Sequence, residues 1–223
     1  MPALTARELG LDYFQIYDVA DRPIEAEVSL RGQFDPRPTR MGLRLLDYFA
    51  NPASKNGEPM HDPRAHLAWY RGVVAPPDRN RFLEAENQFG KFRLQIGQAL
   101  ALLVPTEKLE RGSGYAEDLD HYKVYVVIEG DTAPALSIKL VDQFGASEAR
   151  LGRPRFFAVP VAKRHDDAIF RVHNERAHLV IFEITPRTIE RRLSLSNQFG
   201  RATTSVLRSH LLAAPSLKRW RPE

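Results

Sequence analysis

The chain contains no cysteine, which excludes disulfides and thiolate metal sites. No stretch is apolar for the length of a membrane-spanning helix, and residues 1–10 lack the apolar run of a signal peptide. These absences lead to the expectation of a cytoplasmic protein with no membrane span, with secretion by another route left open. Lysine is scarce and occurs at Lys55, Lys91, Lys108, Lys123, Lys139, Lys163 and Lys218. The formal net charge of +4 therefore rests mainly on arginine. The signatures of several chemistries are also missing. There is no Gly-x-Ser-x-Gly, no P-loop, no dinucleotide glycine fingerprint and no His-Glu-x-x-His. Asp166-Asp167 are adjacent, but adjacency does not place two carboxylates across a substrate. The expectation is a protein that is not an enzyme and takes no cofactor.

What is present is a repeat. Gln33-Phe34, Gln88-Phe89, Gln143-Phe144 and Gln198-Phe199 recur at intervals of 55 residues. Gly90, Gly145 and Gly200 follow three of the copies, and Asp35 follows the first. A Pro-x-x-Lys travels with them: Pro52/Lys55, Pro105/Lys108, Pro160/Lys163 and Pro215/Lys218. Ahead of each Gln-Phe, apolar columns alternate with polar ones. Val28, Leu83, Ile138 and Leu193 form one column, and Leu30, Ala85, Leu140 and Leu195 the next but one. That period of two predicts half-buried strands. The short polar residues before Gln-Phe and the glycine after it predict a strand end and a turn. Phe34, Phe89, Phe144 and Phe199 are expected to close the core of their repeats in equivalent places.

Taken in order, Thr5 to Glu8 reads as a capping box stopped by Gly10, allowing one helical turn in an arm over residues 1–10. Strands are expected at Leu11–Tyr17, Ile24–Phe34 and from Met41 towards Pro52. Leu119 to Tyr125 echoes Leu11 to Tyr17, and Ala177-His178-Leu179 echoes Ala65-His66-Leu67. Odd repeats thus resemble odd and even resemble even. The expected fold is all-β: two tandem pseudo-symmetric β-barrel-like domains, each from two three-stranded repeats. Their bounds are 11–110 and 119–217, with a linker over 111–118 and a basic tail over 218–223. The alternative is a single four-bladed, propeller-like ring. Thr203–Leu212 has helical spacing of its own, but its repeat position makes it strand.

The motif set resembles an uncharacterised bacterial repeat-domain family. The likeness rests on Leu11-Asp12-Tyr13-Phe14, Asn51-Pro52, Lys55-Asn56-Gly57-Glu58, Asp62-Pro63, Ala65-His66-Leu67 and Asn87-Gln88-Phe89-Gly90. It continues at Leu119-Asp120-His121-Tyr122, Asp142-Gln143-Phe144-Gly145, Arg153-Pro154 and Asn197-Gln198-Phe199-Gly200. The resemblance implies a duplicated β domain and brings no known activity or catalytic residues. Members of that family are usually secreted and carry cysteines near the positions of Ala50 and Ala158, which this chain lacks.

Candidate sites are few. Glu58 and Asp62, near Gly57, supply oxygen ligands for a hard cation, but Ser54 and Lys55 stand where further carboxylates would help. His61 with His66, and His165 with His173 and His178, carry imidazoles without regular zinc spacing. The expectation is no metal. Arg191, Arg192, Lys218, Arg219 and Arg221 make the C-terminal quarter basic and are candidate polyanion contacts. The functional expectation is a non-catalytic structural or interaction module, with a protein partner or a second copy of the chain. The alternative is binding of a nucleic acid or acidic polysaccharide through the basic quarter.

Overall fold

The computed structural model describes residues 6–109, 114 and 116–219. After one helical turn, α1 (Ala6–Leu9), every element is a strand. These are β1 (Tyr13–Gly32), β2 (Thr39–Lys55), β3 (His66–Ala75), β4 (Arg81–Asn87), β5 (Gly90–Lys108) and β6 (His121–Gly130). They continue with β7 (Ser137–Asp142), β8 (Gly145–His165), β9 (Ala168–Phe170), β10 (His178–Asn197) and β11 (Gly200–Arg219). The two strands expected before Phe34 are one strand of 20 residues. Its register against β2 shifts after Asp18 and after Pro23, and such irregularities let a long strand bend. Residues 203–212 are strand within β11, as the repeat alignment requires.

All the strands belong to one antiparallel 11-stranded sheet. Its ladder can be followed round a circuit. β1 pairs β2, then β3, β5, β6, β8, β10 and β11, and β11 returns to β1 through Phe14↔Ala213 and Ile16↔Leu211. A closed circuit leaves no open edge along these segments. β5 pairs β6 through Leu103↔Tyr122, so the circuit crosses from the first half of the chain to the second. The sheet and both apolar clusters run across the boundary between the expected domains 11–110 and 119–217. Pairing odd with odd is visible in the sequence, but strand pairing joins every repeat to the next. Of the linker expected at 111–118, residues 111–113 and 115 lie outside the described residues.

Side chains of one parity gather in one cluster. Phe14, Ile16, Leu67, Trp69, Tyr122, Val124, Leu179 and Ile181 come from corresponding strands of all four repeats and fill the inside of the ring. Their neighbours of opposite parity, such as Tyr17, Ala68, Tyr125 and Val180, face outward into a second apolar layer. The hairpins ending in Gln-Phe fold over this layer. They bury both aligned columns, from Val28 and Leu30 to Leu193 and Leu195. Each hairpin also pairs across to another repeat: β1 with β8, β4 with β11, β7 with β2 and β10 with β5.

Candidate functional site

The repeated motifs meet at four corners of the ring. In three hairpins the residue before Gln-Phe turns its side chain back on the chain. Asn87 Oδ1 accepts the Phe89 amide at 2.8 Å, Asp142 Oδ1 that of Phe144 at 2.8 Å, and Asn197 Oδ1 that of Phe199 at 2.9 Å. The following glycines have φ of +135°, +110° and +100°, where a side chain is strained. The second side-chain atom fixes the turn to a Pro-x-x-Lys strand. Asn87 Nδ2 donates to Ser216 Oγ at 2.9 Å, and Asn197 Nδ2 donates to Thr106 Oγ1 at 2.9 Å. In the third copy the polarity is reversed. Asp142 Oδ2 accepts from Asn51 Nδ2 at 3.3 Å and from the Tyr17 hydroxyl at 2.7 Å. The acceptor and donor have exchanged sides, so the contact survives.

The lysines then close the circle. Lys55 Nζ lies 5.7 Å from the Phe89 ring, Lys108 Nζ 4.4 Å from Phe144, and Lys163 Nζ 5.1 Å from Phe199. Lys218 Nζ lies 4.7 Å from Phe34, so the last repeat returns to the first. A desolvated cation over an aromatic face contributes about 2 kcal/mol. Tyr13, His66, His121 and His178 stand at the start of the corresponding ring strands and line these corners. Tyr13 donates to Gln88 Oε1 at 2.7 Å, the His66 ring nitrogen meets Gln143 at 3.4 Å, and that of His121 meets Gln198 at 3.1 Å. Burial drives the His66 imidazole down to about 3 and His178 to about 4, with the lysine charge adding to the effect. His121 is pushed well below its ordinary value by burial and by Lys163. These histidines are neutral, buried hydrogen-bonding groups at neutral pH.

A pocket of about 390 Å³ sits at the end of the ring where these strands begin. Asp12 accepts the His61 and Asp62 amides at 2.6 and 2.8 Å, and Asp120 accepts those of His173 and Asn174 at 2.7 and 2.9 Å. The echo between Leu11-Asp12 and Leu119-Asp120 is thus a pair of carboxylates that hold the facing loops. Burial raises the Asp12 carboxyl while the two amides pull it down. Arg64, Glu117 and Asp118 add charged groups to the lining.

The sequence-derived candidates are dispersed. Phe34 and Phe89 are buried, whereas Phe144 and Phe199 are half-buried against the same outer layer. Glu58 is held by Lys55 Nζ at 2.6 Å, and Asp62 by Arg64 Nε at 3.0 Å. Among the described residues no three His, Asp or Glu side chains converge as metal ligands. Arg191 and Arg192 are exposed on β10, Arg219 pairs with Glu86 at 2.7 Å, and Lys218 bonds Gln33 in its corner. Arg221 lies outside the described residues. Lys123, which no motif singles out, is fully buried between Asp35 at 2.9 Å and Asp78 at 3.1 Å. Its position aligns with Gln15, so the repeat carried no signal for it. Among the described residues no helix is long and apolar enough to cross a membrane.

No curated protein and no solved structure matches the chain. Residues 66–214, from the first strand of the second repeat to near the C-terminus, match a family described as a repeat of unknown function, DUF7450, and the chain belongs to that family.

Proposed function

We propose that the protein is a non-catalytic structural or interaction module that docks a partner at the loop-rimmed end of the ring. The observation that carries this reading is the use made of the repeated polar side chains. Gln, Lys, His and Asn/Asp of the motifs bond or stack on one another at the corners, so they hold repeats together and leave no reacting pair facing solvent. The pocket end differs. Arg64, Glu117 and Asp118 are exposed there, around a recess of about 390 Å³. Charged rims of this kind steer partners and set specificity.

The test is the native mass of the chain in extract of its own cells, compared with the purified chain by light scattering. The reading expects a heavier species in extract, and the paired reversals Arg64→Glu and Glu117→Arg should return it to the mass of the purified chain. A mass equal to that of the purified chain throughout overturns the reading. Polyanion binding has narrower support, since Arg219 and Lys218 have partners within the fold. It rests on the exposed pair Arg191 and Arg192, and it requires affinity that falls steeply with added salt.

A further inference from the structure

The four corners are not equally complete. Lys55 has Glu58, Lys108 donates to Gln143 Oε1 at 3.0 Å, and Lys218 donates to Gln33 Oε1. In the corner of the third Pro-x-x-Lys, Lys163 Nζ has no hydrogen-bond partner among the described residues although its residue is 1% exposed. Gln198 Oε1, the atom equivalent to the acceptor used by Lys108, is also without a partner among them. What surrounds Lys163 instead is aromatic: the Phe170 ring at 4.2 Å and the Phe199 ring at 5.1 Å. His121 lies against the same Phe170 ring, 4.9 Å between centroids. Phe170 ends β9, a three-residue strand whose Ala168 and Ile169 are exposed. One half-buried aromatic on a short edge strand is thus the cover over a buried amine.

We propose that Lys163 is a carbamylation site, where the side-chain amine adds carbon dioxide. The reactant is small and apolar, which suits entry past Phe170 into an aromatic surround. The Nζ lone pair forms the new N–C bond, and one C=O π pair moves onto oxygen. The proton released from the amine passes to the imidazole of His121. The product is a carbamate beside an imidazolium, with no change in the total charge of the corner. Lys163 as a cation repels a charge on His121, whereas as a carbamate it attracts one. Gln198 supplies the remaining adjustment. Turning its amide by 180° puts Oε1 against the protonated His121 ring nitrogen and frees Nε2 to donate to the carbamate. Gln198 Oε1, without a partner in the open corner, then has one, and the new carbamate oxygens have a donor.

The amine also has the protonation state that addition needs. Burial brings Lys163 down to about 7. About half of it is neutral at pH 7, against well under one part in a thousand for an ordinary lysine at about 10.4.

The experiment incubates the folded chain with ¹³C-bicarbonate at neutral pH. The carbamate is trapped by alkylation with a trialkyloxonium salt, and the modified peptides are read by mass spectrometry. The expected label is on Lys163 and absent from Lys55, Lys108 and Lys218. Lys163→Met should remove it, with circular dichroism confirming that the variant is folded. Phe170→Ala, which removes the cover, should label Lys163 faster and at the same residue. Gln198→Leu should reduce the yield without moving the label. Absence of label on Lys163 in the folded chain overturns the proposal, and so does label spread evenly over exposed lysines.

Discussion

At the scale of single residues, the buried ionisable groups decide how the molecule responds to change. Lys123 is the clearest case. Its ammonium is satisfied by Asp35, Asp78 and Thr39. Removing one partner of a buried ion pair costs about 3–5 kcal/mol, because the charges left behind remain out of water. Lys123→Met is expected to lose that much in urea unfolding. Adding Asp35→Asn and Asp78→Asn should recover part of it. The three corner histidines set the acid limit. Their folded values lie below the ordinary 6.5, so the unfolded chain binds more protons between the two values. Their contribution is complete above about pH 6.5; that of His66 and His178 is lost as pH falls towards 3 to 4, and that of His121 is lost as pH falls well below 6.5. Each pH unit crossed costs about 1.4 kcal/mol per histidine. A melting-temperature profile should fall steeply below pH 6, and His66→Gln should flatten it.

At the scale of the element, the Asn/Asp-Gln-Phe-Gly hairpin explains why a few residues recur while the rest of the repeat drifts. The first side-chain oxygen builds the turn, the glycine lets the chain leave it, and the phenylalanine fixes the hairpin under a lysine. Gly200 has open space around it, so a methyl group would meet no neighbour within 4 Å. Its φ of +100° is the whole obstacle. Gly200→Ala is therefore expected to cost roughly 1–2 kcal/mol, the penalty for a left-handed backbone. Gly72 is the contrast, with a Cβ falling 2.7 Å from the Gly42 carbonyl oxygen. Gly72→Ala must shift backbone and should lose more. Chemical denaturation of the two variants side by side checks that order.

At the scale of the molecule, closure joins the four repeats. The inner cluster draws on residues from Leu9 to Ala213, and Lys218 stacks on Phe34 across the whole sequence. A ring of this kind has no half that can open while keeping its core. The chain should melt in one calorimetric transition. Phe144 tests this from the edge. It packs on Tyr17 of the first repeat, 5.1 Å between centroids, and under Lys108 of the second. Phe144→Ala should cost about 3 kcal/mol, at the low end for phenylalanine truncation because the ring is half-buried. The single transition should move as a whole. Two transitions, one shifted and one fixed, would restore independent halves.

The sequence by itself determined the period, the strand character, the buried columns and the turn chemistry, because these depend on residues near one another in the chain. Val28 and Leu30 alternate with Ser29, and Asn197 reaches the amide two residues on; both are local facts. The pairing of odd with odd repeats was legible too, and it is borne by Asp12 and Asp120 at the pocket. Likeness between repeats says nothing of contact between them. Which strands pair depends on closing a twisted sheet, and that is fixed by Leu103 meeting Tyr122 and Phe14 meeting Ala213, contacts between residues far apart in or across repeats. Corner composition was hidden for the same reason. Each corner takes its lysine from one repeat and its Gln-Phe from the next, so only the closed ring brings Lys163, His121, Gln198 and Phe170 together. Tertiary structure also decided that Lys123 is buried between two carboxylates, since Asp35 and Asp78 come from the first half of the chain and reach it across the join.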